Sequence, residues 1–134
     1  MREIKFRYTC KRDNGHVFSQ IFTLEEIEAG DAKKWIDINH IGLFHLKKDQ
    51  YTGRKDSKGQ EIYEGDIVRQ YQHGIEDNNL YLRTGAVEYR EDRFWCLGHK
   101  VHFFLSGAFR DIPKSTYEII GNIYQNPELI KEAS

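Results

Sequence analysis

Apolar and polar residues alternate at the start of the chain, with Ile4, Phe6 and Tyr8 separated by Lys5, Arg7 and Thr9. A period of two puts one set on each face, so residues 3–10 are predicted to form a half-buried strand. Asp13-Asn14-Gly15 is a turn, because Asn-Gly enters positive φ at little cost. Val17 to Phe22 returns as the second strand of a hairpin. Thr23-Leu24-Glu25-Glu26 then has capping-box spacing: Thr23 can accept from the Glu26 amide, and Glu26 can reach back to the amide of Thr23. Phe22 and Ile27 occupy the two hydrophobic-staple positions. With Gly30 as a C-terminal stop, the helix covers 24–29 and is too short to persist without tertiary packing. Residues 31–42 show no clear period. Trp35, Ile36 and Ile38 are apolar, Gly42 breaks the run, and Leu43 to Gln50 reads as extended.

Turns punctuate the rest of the chain. Asp56-Ser57-Lys58-Gly59 has a β-turn composition, and Glu64-Gly65-Asp66 follows Ile62 and Tyr63 as a second tight turn. Ile67 and Val68 open a strand. Residues 72–79 are polar and read as an exposed loop. Val87 and Tyr89 alternate with Glu88 and Arg90, Glu91-Asp92 turns the chain, and Phe94 to Leu97 returns. Val101 to Leu105 and Tyr117 to Tyr124 are further strands. Asn126-Pro127-Glu128 starts a short terminal helix, with Asn as cap and Pro at the first helical position. Short strands at roughly 8–12-residue spacing point to a small antiparallel barrel or sandwich. The expected architecture is therefore mainly β: a short α+β portion over residues 1–46 and a barrel-like β part over 47–134, together one compact unit.

Composition narrows the function. The chain has 134 residues, 39% of them apolar and 13% aromatic, enough for a core and too few residues for a two-domain enzyme of ordinary size. Charges are evenly spread and sum to -1, which argues against an electrostatic polyanion binder. The start has no signal-peptide core and no stretch reaches the roughly 18 apolar residues of a membrane helix, so the expectation is a cytoplasmic protein without a membrane partner. Cys10 and Cys96, far apart and with no export signal, read as reduced thiols.

Cys96, His99 and His102 supply three local zinc donors where a structural site needs four, and on a strand the two histidines face opposite sides. No metal or cofactor is expected. Gly53 to Gly59 is basic through Arg54, Lys55 and Lys58 but lacks P-loop spacing, and reads as a solvated hairpin turn. Glu61, Glu64 and Asp66 are close enough for a carboxylate pair, though turns carry such acids for their own backbone bonds. Single-stranded nucleic acid is the alternative partner. Tyr63, Tyr71, Tyr81, Tyr89, Phe94 and Trp95 would stack on bases beside Arg69, Arg83, Arg90 and Arg93. The net charge and the need to fill a core weigh against it.

Three strings resemble the YopX family of phage and prophage proteins. They are Gln50-Tyr51-Thr52-Gly53-x-Lys55-Asp56-x-x-Gly59-x-Glu61-Ile62-Tyr63-Glu64-Gly65-Asp66-Ile67-Val68, Gly85-x-Val87-x-Tyr89, and Tyr117-Glu118-Ile119-Ile120-Gly121-Asn122-Ile123-Tyr124-x-Asn126-Pro127-Glu128-Leu129. The opening Met1 to Arg7 joins them. The chain departs at Tyr8-Thr9-Cys10, and residues 11–46 are variable. The resemblance implies a mainly β fold, a tendency to form homo-oligomers and no catalytic residues. Tyr51, Gly53, Tyr63, Glu64 and Asp66 are the signature positions carried forward as a candidate binding site. From the residues themselves, Gly53, Gly59 and Gly65 fit positions needing positive φ, and Ile62, Tyr63, Ile67 and Val68 supply core. The expected function is a non-enzymatic, phage-encoded accessory protein that self-associates and binds a host protein.

Overall fold

The computed structural model of the chain describes residues 3–73, 79–90, 93–97, 102–104 and 115–132. These residues are mainly β. The strands are β1 (Lys5–Lys11), β2 (Val17–Thr23), β3 (Leu46–Lys55), β4 (Glu61–Tyr63), β5 (Asp66–His73), β6 (Asn79–Arg90), β7 (Arg93–Leu97), β8 (His102–Phe104) and β9 (Ser115–Asn122). The helices are α1 (Leu24–Glu28), α2 (Asp31–Ile38) and α3 (Glu128–Glu132). Two antiparallel sheets result, one ordered β2-β1-β3-β4 and the other β8-β7-β6-β5-β9. The chain divides into two compact units, Met1–Tyr51 and Thr52–Ser134, with the boundary inside β3.

In the first unit, β1 lies between β2 and the first half of β3. Tyr8 stands opposite Gln20 on one side and Lys48 on the other. The strand forms, and Tyr8 and Phe22 are buried on the face that receives the helices, together with Ala32. Thr9 and Cys10 are buried as well and Ile4 is exposed, so β1 is covered on both faces at its centre rather than half-buried with a period of two. Phe6, Ile27, Trp35, Ile36 and Leu46 pack around them. The rings meet edge to face, Tyr8 with Phe22 at 5.3 Å and Phe22 with Trp35 at 5.8 Å between centroids. Such contacts stabilise beyond the area they bury. Burial holds the Tyr8 phenol above its ordinary pKa, which keeps it neutral in this core.

The capping box forms as the sequence predicts. The Thr23 hydroxyl accepts from the Glu26 amide at 3.2 Å, and Glu26 Oε1 accepts from the Thr23 amide at 2.8 Å. Thr23→Ala is expected to cost about 1 kcal/mol in urea unfolding, and Thr23→Ser to retain most of that stability. An unchanged midpoint for Thr23→Ala would show that the cap is dispensable.

Two segments differ from their sequence reading. Residues 31–38, ambiguous by period, form α2. Ala32, Trp35 and Ile36 make a helical stripe facing the core, but Ile38 points outward and blurs it. The helix also lacks a side-chain cap: Gly30 at φ 92° ends α1 and starts α2, a backbone state that glycine adopts without strain. Leu43–His45, read as extended, is a single 3-10 turn leading into β3. The His45 amide donates to the Gly42 carbonyl at 2.9 Å, and His45 Nε2 meets Asp13 Oδ1 at 2.8 Å.

In the second unit, β5 is flanked by β6 and β9. Val68 stands opposite Gly85 on β6 and Ile119 on β9, with register shifts at Gln70/Tyr71 and Ile67/Val68. Ile62, Val68, Val87, Phe94 and Tyr117 form the core, with Ile119 against it. Gln70 is fully buried among them. Its amide oxygen accepts from Arg83 Nε at 2.6 Å and its nitrogen donates to the Tyr117 hydroxyl at 3.4 Å, which offsets the cost of burying an amide. The β8 and β9 strands end the sheet order, so the described residues form an open sheet with no closed barrel. The predicted loop over 72–79 shrinks, because β5 reaches His73 and β6 begins at Asn79. Its residues 74–78, the Glu91-Asp92 turn and the ends of the 101–105 strand lie outside the described residues. Ile123, expected within the last strand, follows its end.

Candidate functional site

The segment from Gln50 to Val68 carries the candidate site, and its polar groups bond mostly to backbone. Tyr51 is buried, with Lys5 Nζ 4.9 Å from its ring centre. Thr52 Oγ1 donates to the Ile62 carbonyl at 2.7 Å and accepts from the Arg54 amide at 3.1 Å, fixing β3 against β4. Gly53, Gly59 and Gly65 have φ of 87°, 83° and 86°, the positive values predicted for them.

Asp56 organises the first turn. Its Oδ1 accepts from the Lys58 and Gln60 amides, both at 2.9 Å, and its Oδ2 accepts from the Ile119 amide at 3.1 Å. The Ser57 amide donates to the Tyr117 carbonyl at 2.8 Å, and Lys58 pairs with Glu118 at 3.3 Å. A turn that looks local in sequence is therefore bound to β9. Its amides at Ser57, Lys58 and Gln60 already have acceptors, so they do not form a phosphate cradle.

The second turn is similar. Asp66 is 2% exposed, and its Oδ2 accepts from the Tyr63 amide at 2.8 Å. Glu64 Oε2 accepts from the Tyr89 amide at 3.2 Å, and Glu61 accepts from the Tyr63 hydroxyl at 3.3 Å. The Gly65 amide donates to Val87 and the Gly65 carbonyl accepts from Ile123, both at 2.9 Å. Each of the three carboxylates accepts from a donor in or beside this turn. Of the carried-forward residues, Tyr63, Glu64 and Asp66 come together in this turn, while Tyr51 and Gly53 lie on β3.

The C-terminal string closes on itself. Asn122 Oδ1 accepts from the Tyr124 and Gln125 amides at 3.0 and 2.9 Å. Asn126, read as a helix cap, turns its Oδ1 back to the Asn122 amide at 3.3 Å. A Cβ at Gly121 would sit 2.5 Å from that Asn126 oxygen, so glycine leaves room for the close approach.

A family model for the YopX protein matches residues 5–131, across these turns and nearly the whole chain. The chain belongs to the YopX family. The crystal structure of protein EF1440 from Enterococcus faecalis superposes with a TM-score of 0.54 at 19% identity, covering 97% of this chain and 99% of that one, a likeness of fold. A comparison with curated proteins found no match.

The stacking set expected for nucleic acid is described only in part in this YopX fold. Tyr63 and Phe94 are buried, Tyr71 is half-buried, and Tyr89 is exposed with its edge on Phe94 at 4.9 Å. Arg69 is half-buried and Arg83 bonds Gln70. The side chains of Tyr81, Trp95, Arg90 and Arg93 lie outside the described residues, as do those of Cys96, His99 and His102, the whole metal motif. Among the described residues no three metal-ligating side chains cluster, and no helix is long and apolar enough to cross a membrane. Cys10 is buried and free.

Sequence reasoning missed the long reach of Asp56, the buried Gln70 and the exposed pair Leu43 and Phe44. For Leu43 and Phe44 a signal existed: two large apolar residues directly after a helix-breaking Gly42.

Proposed function

We propose that this YopX protein is a non-catalytic, phage-encoded accessory protein that acts in the host cytoplasm, self-associates and binds a host protein. One observation carries the binding reading. Leu43 and Phe44 are 82% and 95% exposed on the 3-10 turn between α2 and β3, and Ile38 at the end of α2 is 75% exposed. A domain of this size gains by burying such side chains, and neighbouring large apolar side chains held in the open on a fixed turn mark an interaction surface. The turn is fixed by the Gly42–His45 hydrogen bond and the His45–Asp13 pair. The non-catalytic reading is supported by the signature acids, whose oxygens hold backbone amides and a tyrosine hydroxyl. Phage origin and self-association are what the resemblance of the signature strings to the family implies.

The test is affinity capture from host lysate with the wild-type chain and the Leu43→Ser/Phe44→Ser variant. The variant is expected to keep its unfolding free energy within about 0.5 kcal/mol, as exposed positions do, and to lose a host protein that the wild type retains. Equal retention by both chains, or none by either, would overturn the reading.

A further inference from the structure

We propose that β2 is the contact through which two copies of this chain join, pairing antiparallel with β2 of the second copy. This rests on the self-association proposed above and names its surface.

The sheet order leaves β2 as an end strand, with β1 on one side and no described strand on the other. Chains normally protect such edges with short strands or charge. Two of the other end strands follow that rule. The β4 strand has three residues, and β9 bears Glu118 paired with Lys58. By contrast, β2 runs seven residues, Val-Phe-Ser-Gln-Ile-Phe-Thr, with no charge, proline or glycine. Ser19, Gln20 and Ile21 in its middle are exposed.

The backbone phase decides which groups are available. The Arg12 amide donates to His16 and the Leu24 amide donates to Ile4, bracketing the hairpin at both ends. Hydrogen-bonded pairs alternate along an antiparallel ladder, so Phe18, Gln20 and Phe22 bond inward to β1. Val17, Ser19, Ile21 and Thr23 then aim their N–H and C=O groups outward. Glu26 already takes the Thr23 amide through the capping box. Three consecutive outward residues remain: Val17, Ser19 and Ile21.

That set is self-complementary about a two-fold axis at Ser19. Val17 meets Ile21 of the second copy, Ser19 meets Ser19, and Ile21 meets Val17. Each pair exchanges two hydrogen bonds, and every outward group in the set is used. Val17 and Ile21 become an apolar cross-strand pair, which covers the exposed Ile21. No charge is desolvated. A register centred on Gln20 would spend its outermost pairs on Thr23, whose amide is occupied.

The test uses the full chain in size-exclusion chromatography with light scattering across micromolar concentrations, with variants Ser19→Pro and Ser19→Lys. Ser19→Pro removes an outward amide and leaves the bonds to β1, while Ser19→Lys adds an edge charge. The wild type is expected to assemble, both variants to fall at least twofold in mass, and Ser19 and Ile21 amide exchange to slow only in the assembled wild type. Folded variants that assemble like the wild type would overturn the β2 contact and leave self-association standing. A wild type that stays at 15.9 kDa throughout would overturn both.

Discussion

Asp56→Ala is expected to be among the most damaging single substitutions in this chain, lowering unfolding stability by about 2–4 kcal/mol. The carboxylate accepts three backbone amides, at Lys58, Gln60 and Ile119. Alanine leaves all three without that acceptor. Water can replace it at exposed Lys58 and Gln60, whereas the Ile119 amide lies in β9 beside the core. Asp56→Asn keeps one oxygen and replaces the other with an NH2 group, so it should fall between wild type and alanine. Urea unfolding followed by fluorescence checks the order. Equal stability of alanine and wild type would mean that the turn and β9 hold together without this anchor.

Asp66→Ala acts by the same physics on the second turn, with an expected loss of about 1.5–3 kcal/mol, the range for a hydrogen bond to a charged acceptor. Asp66 is almost fully buried, as is Tyr63, so the stranded Tyr63 amide has little access to water. The Gly65 bonds to Val87 and Ile123 depend on the turn keeping its shape, and amide exchange at Gly65 and Ile123 should accelerate along with the loss of stability. If exchange there stays slow while the midpoint falls, the turn keeps its shape and the loss lies elsewhere in the core.

Local chemistry made much of this legible. The Asp13-Asn14-Gly15 turn, the Thr23/Glu26 box and the three signature glycines each depend on neighbours within a few residues, and each appears as read, whereas the β1 alternation is lost where Thr9 and Cys10 are buried beside Tyr8. The α2 helix was hidden because Ile38 breaks its stripe and no side chain caps its start. The 3-10 turn at Leu43–His45 depends partly on Asp13, which lies far back in the sequence. The signature residues were legible as turn and core formers, and not in their connections. That Asp56 reaches Ile119, or that Glu64 reaches Tyr89, follows from β-sheet pairing that no local pattern encodes. Buried Gln70 was unreadable for the same reason, since its partners Arg83 and Tyr117 come from two other strands.

The place of β5 between β6 and β9 has a consequence for synthesis. A chain emerging from the ribosome can pair β5 with β6 as soon as that hairpin is complete. The other edge of β5 has no partner until residues 115–122 follow. During that interval Ile67 and Val68, which are fully buried in the folded protein, lack half of their sheet, and an open apolar edge is a template for the wrong strand. The nascent protein is therefore most exposed to misassembly late in translation, and a chain stopped short of β9 is a natural client for chaperones.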